Sequence, residues 1–579
     1  MVVSTSRQAS QVGIDILNKG GNAVDAAVAV GFTLAVTSSS NGNIGGGGFM
    51  VARFEDGKTF SLDYREMAPQ AAFKDIFLDS AGNVINGKST RTHFASGVPG
   101  SVDGLLKAWK DHGSGIISIE QLIGPAINFA ENGFKLSHYE ANRFNNRKAF
   151  LSKHPETKRI FTREDRKWKA GDIFYQKDLA KTLKRIAENG RDGFYKGKTA
   201  ELIVKEMEKV GGWISINDLK NYSSIYRNPI YGNFNEYKII SMGPPSSGGI
   251  LLVLMLNMID EIIKVNGYDL SGLKFNSKEY VHLITEVERR AYADRATHLG
   301  DEDFWEVPTA MLLSKEYAAK RVGDIDLNNA SLSKDIKAGS FSTKESEETT
   351  HYSVVDKDGN AVSVTTTINS GYGSGITVTG AGFILNNEMD DFSSKPGVPN
   401  MFGLLGNEAN AIEPAKRPLS SMTPTIVLKN EKPFLVLGTP GGSTIITTVL
   451  QNFLNVALHQ MSIKKAIDAP RFHSQWMPDI IDYEKNKKKH LEQYYNIDVC
   501  LDTFPYNGVT TTFESLWMGV PVITLKGDRF VSRCGYSINE NAGLKNFIAE
   551  NKNEYLSIAL QYTSEINIKK LINLRKKLR

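Results

Sequence analysis

The chain has 579 residues and a formal net charge of +5, so it is long enough for several domains and offers no electrostatic case for nucleic-acid binding. Its only cysteines, Cys500 and Cys534, lie in the last part of the chain, and no Cys/His spacing predicts a metal site. The most apolar run, residues 250–259, is too short to span a bilayer and leads into acidic residues, which predicts a buried helix.

The first predicted element is a helix over residues 22–36 that has a face of small side chains and is capped by Asn22. Four consecutive glycines, Gly45 to Gly48, follow this helix. The run is open to two interpretations: a phosphate-binding loop, or backbone segments packed too closely for a Cβ atom. Because no Lys-Ser/Thr pair follows the glycines, the pattern favours close packing.

Residues 100–300 are mostly helical in pattern and predict a scaffold, with long amphipathic runs such as residues 277–295. Between about 300 and 348 the sequence becomes polar and charged, and it ends in the run Lys-Glu-Ser-Glu-Glu. This composition is typical of a flexible linker. A linker is also what a processing site requires, because the cut ends must separate to free a new amine.

The next segment predicts a β-hairpin, since alternating apolar residues flank an Asp-Lys-Asp-Gly-Asn turn in which Gly359 can take the left-handed conformation. If the turn centres on Asp358, Thr349 lies across from Thr367 with their Cβ atoms about 4.5–5.5 Å apart. Asn369 then lies on the same face as Thr367, because strand side chains alternate. Taken alone, the pattern favours the ordinary interpretation, a Thr-rich β-hairpin, because Thr is a good strand former.

Further along, residues 434–437 predict a strand, residues 438–443 a glycine-rich turn and residues 444–457 a helix. Gly441 and Gly442 lie in this turn. Backbone N–H groups at the positive end of a helix can serve as an oxyanion hole. An ordinary tight turn is the alternative interpretation of the same pattern.

The hairpin, with its Thr-Thr-His-Tyr run, and the chain around it resemble the γ-glutamyltranspeptidase (glutathione hydrolase) family of N-terminal-nucleophile hydrolases. The resemblance extends from the start of the chain to about residue 485. It implies a proenzyme that cleaves itself between Glu348 and Thr349, giving a large-subunit-like region, 1–348, and a small-subunit-like region, 349–485. The implied fold class is α/β (α+β), a four-layer αββα sandwich. It is expected to be truncated, because the family's small subunit continues with further strands and a helix.

For catalysis, the resemblance implies that the freed Thr349 is the nucleophile and that its own α-amine is the base. Thr367 orients the Thr349 hydroxyl, and the N–H groups of Gly441 and Gly442 stabilise the oxyanion. In the lid segment Phe402 stands where many bacterial members have Tyr, so it can cover the pocket by apolar burial but lacks the hydroxyl. No cofactor and no metal are expected.

For substrate binding, the resemblance implies a clamp for an α-carboxylate and a pocket for an α-ammonium group. A guanidinium binds a carboxylate bidentately, and two carboxylates suit a cation. The alternatives are a surface salt bridge for Arg65 and a turn or helix cap for Asp390 and Asp391. The implied clamp residues are Arg65, Ser420 and Ser421, and the implied ammonium residues are Asn369, Glu388 and Asp391.

Residues 486–579 depart from that family. The run 498–522 is similar to the C-terminal part of the protein O-GlcNAc transferases, a two-lobed, Rossmann-like glycosyltransferase fold. In that family a Thr-Thr loop at a helix N-terminus holds the diphosphate of UDP-GlcNAc, which implies a nucleotide-phosphate contact for Thr510 and Thr511. The His that often precedes this pair is Val509 here. Only part of one lobe is present, so a catalytic glycosyltransferase is not expected.

The implied reaction is hydrolysis of the γ-glutamyl amide of glutathione and related compounds, or transfer of the γ-glutamyl group to amino acids or peptides. The expected partners are these small molecules and the two chains of one precursor; neither nucleic acid nor a membrane span is expected. Two alternatives stay open: a chimera that does not mature, and a nucleotide-sugar-binding module at the C-terminal end. The family is usually exported, yet no signal peptide is visible, so localisation is not predicted.

Overall fold

Residues 1–482 and 483–579 form two units of the computed structural model, and each is described by itself. The structure describes residues 1–266, 270, 272–337, 349–395, 397–484 and 497–562. Among these residues no helix is long and apolar enough to cross a membrane. Within the same ranges no three His, Cys, Asp or Glu side chains are placed to hold a metal ion together.

The strands and helices of the described residues are numbered in chain order. The strands are β1 (Val2–Val3), β2 (Gly47–Arg53), β3 (Thr59–Asp63), β4 (Phe134–Lys135), β5 (Ile173–Phe174), β6 (Ile225–Arg227), β7 (Ile230–Phe234), β8 (Tyr237–Ser241), β9 (Thr350–Val355), β10 (Ala361–Thr367), β11 (Thr425–Lys429), β12 (Lys432–Leu437), β13 (Phe472–His473), β14 (Asp482–Tyr483), β15 (Cys500–Leu501), β16 (Val522–Leu525) and β17 (Ile548–Ala549). The helices are α1 (Arg7–Asn18), α2 (Ala23–Thr37), α3 (Ser101–His112), α4 (Ile119–Asn132), α5 (His138–Asn146), α6 (Lys148–Leu151), α7 (Pro155–Phe161), α8 (Lys177–Asn189), α9 (Asp192–Tyr195), α10 (Gly197–Glu208), α11 (Ile216–Asn221), α12 (Gly248–Asn266), α13 (Lys278–His298), α14 (Thr309–Leu312), α15 (Lys315–Val322), α16 (Thr444–Ala457), α17 (Ile463–Asp468), α18 (Thr510–Trp517), α19 (Cys534–Asn541) and α20 (Lys552–Gln561).

Two antiparallel sheets form the centre of the first unit. In the described part of the chain, one sheet has the strand order β1-β9-β10-β2-β3-β6 and the other has the order β12-β11-β8-β7. The first sheet therefore places β9 and β10, which follow residue 348, between β1 and β2, which come from the start of the chain. In the second sheet, β11 lies between β12 and β8.

Alternation of side chains along the strands explains why the sheets pack face to face. On β2, Phe49 and Val51 point towards the second sheet and pack with Ile426 of β11, while Met50 and Ala52 point to the opposite face. Helices α1, α2, α3, α4 and α8 cover that opposite face. Helices α12, α13, α15 and α16 cover the outer face of the second sheet. The result is the four-layer αββα sandwich that the family resemblance implies.

The glycine run lies where backbone segments approach one another too closely for a side chain. A Cβ atom on Gly46 would lie 2.1 Å from the Thr367 carbonyl oxygen, and one on Gly48 would lie 2.5 Å from the Thr365 carbonyl oxygen. The close-packing interpretation of the run is therefore confirmed.

Several predicted elements are present at the predicted positions. Helix α2 begins after Asn22, whose side chain accepts hydrogen bonds from the Val24 and Asp25 N–H groups in a capping box. The apolar run 250–259 lies within the buried helix α12. Residues 434–437 and 444–457 lie in β12 and α16, as predicted.

Residues 100–300 are mostly helical, as predicted, although residues 225–241 form β6, β7 and β8. Two other predictions about the middle of the chain are wrong. The predicted linker contains helices α14 and α15, and Arg321 of α15 donates to Asp294 of α13 at 3.0 Å; residues 338–348 lie outside the described residues. Helix α13 is not amphipathic, because residues 283–296 are buried on all sides, and charged groups there are paired, as Glu286 is with Arg290.

The second unit contains a parallel sheet with the order β15-β16-β17. Its small core is formed by the following residues of the sheet and of the elements around it: Leu516, Val522, Ile523, Leu544 and Phe547. Parallel strands joined through helices are typical of a Rossmann-like fold, in agreement with the fragment that the sequence predicts.

Candidate active site

The predicted hairpin is present as β9 and β10. Ala361 pairs with Val355, so the turn centres on Asp358, and Gly359 has a φ of 86°. Thr350 pairs with Thr366. The same register, continued by one residue, places Thr349 opposite Thr367, as the sequence predicts.

Hydrogen bonds from the loop before β2 fix the backbone at both threonines. Asn41 Nδ2 donates to the Thr349 carbonyl at 3.0 Å, and Asn43 Nδ2 donates to the Thr367 carbonyl at 2.8 Å. The Thr367 hydroxyl oxygen accepts the Asn369 N–H at 2.7 Å, so its own hydrogen is available for another acceptor. Thr349 itself is only 5% exposed.

A small cavity of about 20 Å³, here called the site cavity, brings most of the predicted residues together. Gly441 is not part of its lining, Glu348 lies outside the described residues, and Thr510 and Thr511 belong to the second unit. The lining residues are Arg65, Arg295, Thr349, Thr367, Asn369, Glu388, Asp391, Phe402, Leu404, Ser420, Ser421, Met422, Gly442 and Ile445.

Arg65 forms buried ion pairs with the two carboxylates among the three residues predicted to bind the ammonium group, and it is not a surface salt bridge. Its guanidinium donates to Glu388 and to Asp391, and its side chain is 1% exposed. Burial acts to lower the pKa of Arg65, but the charges of Glu388 and Asp391 outweigh burial and raise the pKa above its ordinary value. Arg65 is therefore charged at any working pH.

Three buried carboxyl groups, those of Glu66, Glu388 and Asp391, share this environment. Burial raises the pKa of each group, and the charge of Arg65 opposes that effect. The pKa of Glu66 rises to about 7. Carboxyl groups packed this closely cannot all ionise, so the cluster retains a proton near neutral pH.

Arg295 is a site residue that the sequence analysis missed. It donates to the Ser247 hydroxyl at 3.0 Å and to the Ser421 hydroxyl at 3.3 Å. Burial lowers the pKa of Arg295 to about 10, so the group is still charged near pH 7. The sequence contains no signal for this role, because Arg295 lies at the end of a charged run that predicts a scaffold helix.

Asn369 has an uncommon backbone conformation that aims its side chain. Its φ is 71°, in the left-handed region that non-glycine residues rarely adopt. Its Nδ2 donates to the Asn387 carbonyl at 2.8 Å. This bond uses the amide nitrogen, and the amide oxygen of Asn369 is an acceptor suited to a cation.

The turn between β12 and α16 has the positive φ angles that glycine adopts without strain. Gly441 has a φ of 133° and Gly442 a φ of 43°. A Cβ atom on Gly442 would lie 2.8 Å from the Phe402 ring. The predicted lid residue therefore packs directly against the predicted oxyanion turn.

The segment that carries Phe402 is tied to the acidic residues of the site. Asn400 Nδ2 donates to Asp391 Oδ1 at 3.2 Å, and the Met401 N–H donates to Asp390 Oδ2 at 2.8 Å. Phe402 is 4% exposed. Asp390 thus fixes the lid segment, while Asp391 points into the site cavity.

His351, next to the predicted nucleophile, is not placed to act as a base. Its ring nitrogens bond the hydroxyls of Thr365 and Ser353, each at 3.0 Å. Burial lowers the pKa of His351 to about 3, so the ring is neutral near pH 7. A Cβ atom on Gly438 would lie 2.1 Å from this ring, which explains that glycine as a packing requirement.

A second cavity of about 450 Å³ also reaches Thr349. Polar groups line much of it, among them the side chains of Asn41, Glu140, Arg143 and Thr350. Of the hairpin residues described, Thr349 alone lines both cavities. Thr349 therefore borders two cavities of different size.

In the second unit, helix α18 begins at Thr510, as the loop prediction requires. The Gly508 N–H in the preceding loop donates to Asp502 Oδ1 at 2.7 Å, and Thr512 donates to the Gly508 carbonyl at 2.6 Å. Thr511 is exposed. Part of the hydrogen-bonding capacity of this loop is therefore used within the protein.

Comparisons with known proteins agree with this fold. Residues 9–496 match the family model Gamma-glutamyltranspeptidase, and residues 477–579 match Glycosyl transferase family 41. The glutathione hydrolase proenzyme of Escherichia coli (strain K12) is 48% identical over 486 residues, which cover 84% of this chain and 82% of that protein.

Two solved structures resemble the described fold. The Helicobacter pylori gamma-glutamyltranspeptidase has a TM-score of 0.56 at 43% identity, covering 58% of this chain and 95% of that chain. A cephalosporin acylase from Bacillus halodurans has a TM-score of 0.67 at 24% identity, covering 82% of this chain and 83% of that chain; this likeness concerns the fold alone.

The αββα sandwich, with a buried threonine at the start of an inner strand, defines an N-terminal-nucleophile hydrolase. The match over residues 9–496 and the identity of 48% to a curated relative narrow the class further. The chain belongs to the γ-glutamyltranspeptidase family, whose members are autoprocessing enzymes.

Proposed function

We propose that this precursor cleaves itself before Thr349 and that the freed threonine then removes the γ-glutamyl group from glutathione and related amides. The observation that carries the proposal is the site cavity, which Thr349 and Gly442 line together with Arg65, Glu388 and Asp391. These residues come from four separate segments of the chain. The substrate is taken from the name of a relative, glutathione hydrolase proenzyme.

In self-cleavage, the Thr349 hydroxyl attacks the carbonyl carbon of Glu348, and the peptide bond is exchanged for an ester. Water then hydrolyses the ester, which leaves a carboxylate on residue 348 and a free amine on Thr349. The Asn41 hydrogen bond to the Thr349 carbonyl supports this step, because it fixes the backbone while the hydroxyl reacts. The division into residues 1–348 and 349–485 follows from this cut.

In the catalytic cycle, the new α-amine is the base. Its reference pKa of ~7.7–8.0 leaves a usable neutral fraction near pH 7. The amine takes the Thr349 hydroxyl proton as the oxygen attacks the γ-carbonyl carbon, and it returns the proton to the departing amine. The Gly441 and Gly442 N–H groups donate to the oxyanion, and Thr367 donates to the nucleophile.

The resulting γ-glutamyl ester on Thr349 has two outcomes. If water attacks, the α-amine takes a proton from the water, glutamate leaves and the hydroxyl is restored. If the amine of an amino acid or peptide attacks, the γ-glutamyl group is transferred to it. We propose Phe402 as the lid over this ester, since its ring is buried against the oxyanion turn.

Substrate binding is proposed to exploit the charges of the site cavity. The α-carboxylate of the glutamyl group pairs with Arg65 and accepts from Ser420 and Ser421. Arg295 supports this contact, because it already donates to the Ser421 hydroxyl. The α-ammonium group is bound by the following acceptors: Asn369, Glu388 and Asp391.

For the second unit, the proposal goes no further than a contact between a nucleotide phosphate and the loop at Thr510 and Thr511. The match of residues 477–579 to Glycosyl transferase family 41 supports it. Glycosyl transfer is not proposed. A UDP-dependent rise in melting temperature tests the contact, and an unchanged melting temperature at millimolar UDP rejects it.

The proposed reaction is tested by processing and activity together. Wild-type protein is expected to yield a fragment whose N-terminal sequence begins Thr-Thr-His-Tyr, and to release p-nitroaniline from γ-glutamyl-p-nitroanilide. The Thr349→Ala variant is expected to stay uncut and inactive, while Thr5→Ala, which removes a hydroxyl that bonds Thr350, is expected to keep both properties. A wild-type protein that stays as a single 64.0 kDa chain on prolonged incubation contradicts the proposal.

A further inference from the structure

Behind the oxyanion turn, the segment 472–476 contacts two parts of the site cavity at once. His473 bonds the turn between β12 and α16, and Gln475 bonds the segment that carries Phe402. Both side chains are buried, and neither lines the site cavity. The segment is therefore placed to act through its neighbours and not on a substrate directly.

Ser443, directly after Gly442, shows how His473 holds the oxyanion turn. Ser443 is the N-cap residue of α16, where serine usually accepts a hydrogen bond from the first turn of the helix. Here it makes no side-chain capping bond. Its hydroxyl bonds His473 Nε2 at 3.3 Å, and its carbonyl accepts from the Tyr292 hydroxyl. The Ser443 hydroxyl thus bonds His473 instead of capping the helix, and this bond holds the residue that follows the two glycines.

The other contacts of His473 fix its ring. Nδ1 bonds the Thr447 hydroxyl at 2.8 Å, one turn further along α16, and the Tyr292 ring packs edge-on at 5.5 Å. Nε2 also lies 3.2 Å from Gln475 Oε1. An amide oxygen only accepts, so Nε2 carries a hydrogen.

Gln475 continues this chain of contacts to the lid. While its Oε1 accepts from His473, its Nε2 donates to the Phe402 carbonyl at 3.4 Å. The Phe402 ring packs against Gly442. The turn and the lid therefore contact each other directly, through Gly442 and the Phe402 ring. They are also linked through the His473–Gln475 pair.

Buried groups hold the 472–476 segment itself in place. Gln451 of α16 bonds the Phe472 backbone twice, through its Nε2 at 2.6 Å and its Oε1 at 3.1 Å. Glu288 of α13 accepts the Ser474 N–H at 2.9 Å. These contacts on both sides of His473 leave the ring little freedom to move.

We propose that His473 and Gln475 are positioning residues, which aim the Gly441–Gly442 N–H groups at the oxyanion and couple this turn to the Phe402 lid. The expected effect on kcat rests on the proposed function. The expected effect on the rigidity of the turn and the lid does not depend on any activity.

The kinetic test compares two amide substitutions of the same histidine. In His473→Gln the amide nitrogen can occupy the position of Nε2 and keep the bond to Ser443, whereas in His473→Asn the shorter side chain replaces only Nδ1. We expect His473→Asn to lower kcat for a γ-glutamyl anilide by about tenfold or more, with KM within about threefold, because an oxyanion contact acts in the transition state. We expect His473→Gln to restore most of kcat.

Hydrogen–deuterium exchange provides the second readout. Peptides that cover residues 397–406 and 440–447 are expected to exchange faster in His473→Asn than in wild type or His473→Gln, while a peptide of α2 is unchanged. Equal exchange in all three proteins, or equal loss of kcat in both variants, overturns the inference. A wild-type protein without γ-glutamyl activity rejects the proposed function, yet the exchange rates still decide whether His473 holds the turn and the lid.

Discussion

At the scale of single residues, the main feature of the site is the balance between its buried positive and negative charges. The cluster holds the guanidinium groups of Arg65 and Arg295 against the carboxyl groups of Glu66, Glu388 and Asp391. An uncompensated charge in such a place costs several kcal/mol. A zwitterionic glutamyl group brings one charge of each sign, so it can enter without changing the net charge of the cluster.

The charge balance of the cluster can be measured through Glu66, because burial raises the pKa of its carboxyl group from 4.5 to about 7. Between these values the folded protein binds a proton that the unfolded chain has lost, so stability falls as pH rises. The Glu66→Gln variant cannot titrate and loses this slope. We expect the free energy of unfolding of the variant, relative to the parent, to rise by about 1–3 kcal/mol between about pH 5 and pH 8.

The measurement is urea unfolding in the uncut Thr349→Ala background, so that one chain unfolds in every sample. Glu120→Gln is the matched control, since Glu120 lies exposed on α4 and its pKa is lowered by hydrogen bonds. The control is expected to show no such rise. A stability difference for Glu66→Gln that is the same at both pH values contradicts the assigned pKa.

At the scale of elements, the sequence predicts what local chemistry determines. The Asn22 cap, the Asp358-centred turn and the β12–turn–α16 unit all depend on residues close together in the chain, and all are present. The strands of residues 225–241 were missed because they are short and lie among helices. Arg295 could not be found, because only the packing of α13 against the Ser421 loop gives it a site role.

The chain directly before β2 lies very close to the end of β10. Adding one methyl group at Gly46 tests how much this close approach matters. In Gly46→Ala, the new Cβ would lie 2.1 Å from the Thr367 carbonyl oxygen, so the backbone must move at Thr367. We expect this variant to lose at least about 2 kcal/mol of stability and to process slowly. Gly124→Ala is the control, because no atom lies near that position on α4 and alanine favours a helix.

Chemical unfolding and a time course on denaturing gels measure the two effects of Gly46→Ala. The control is expected to match or exceed wild-type stability and to process at the wild-type rate. Wild-type processing in Gly46→Ala would show that β10 tolerates a displaced Thr367, and it would weaken the argument that this strand pair sets the geometry of Thr349.

At the scale of the whole molecule, the proposed cut divides a sheet without dividing the fold. Strands β9 and β10 belong to the chain after residue 348, yet β9 pairs with β1 and β10 pairs with β2 from the chain before it. The inner face of the same sheet packs on β11 and β8. Sequence patterns do not reveal this interleaving, since it depends on strand pairs separated by more than 300 residues.

The interleaved sheet predicts that the two chains stay together after processing. Separation would expose the edges of β2 and β9 and the apolar core between the sheets, which no native solvent condition favours. We expect the two fragments of wild-type protein to elute as one peak from a native sizing column, at the position of uncut Thr349→Ala, and to separate only in denaturant. Two native peaks, each with one fragment, would contradict the proposed position of the cut, because a cut outside this sheet would release a piece that shares no strands with the rest.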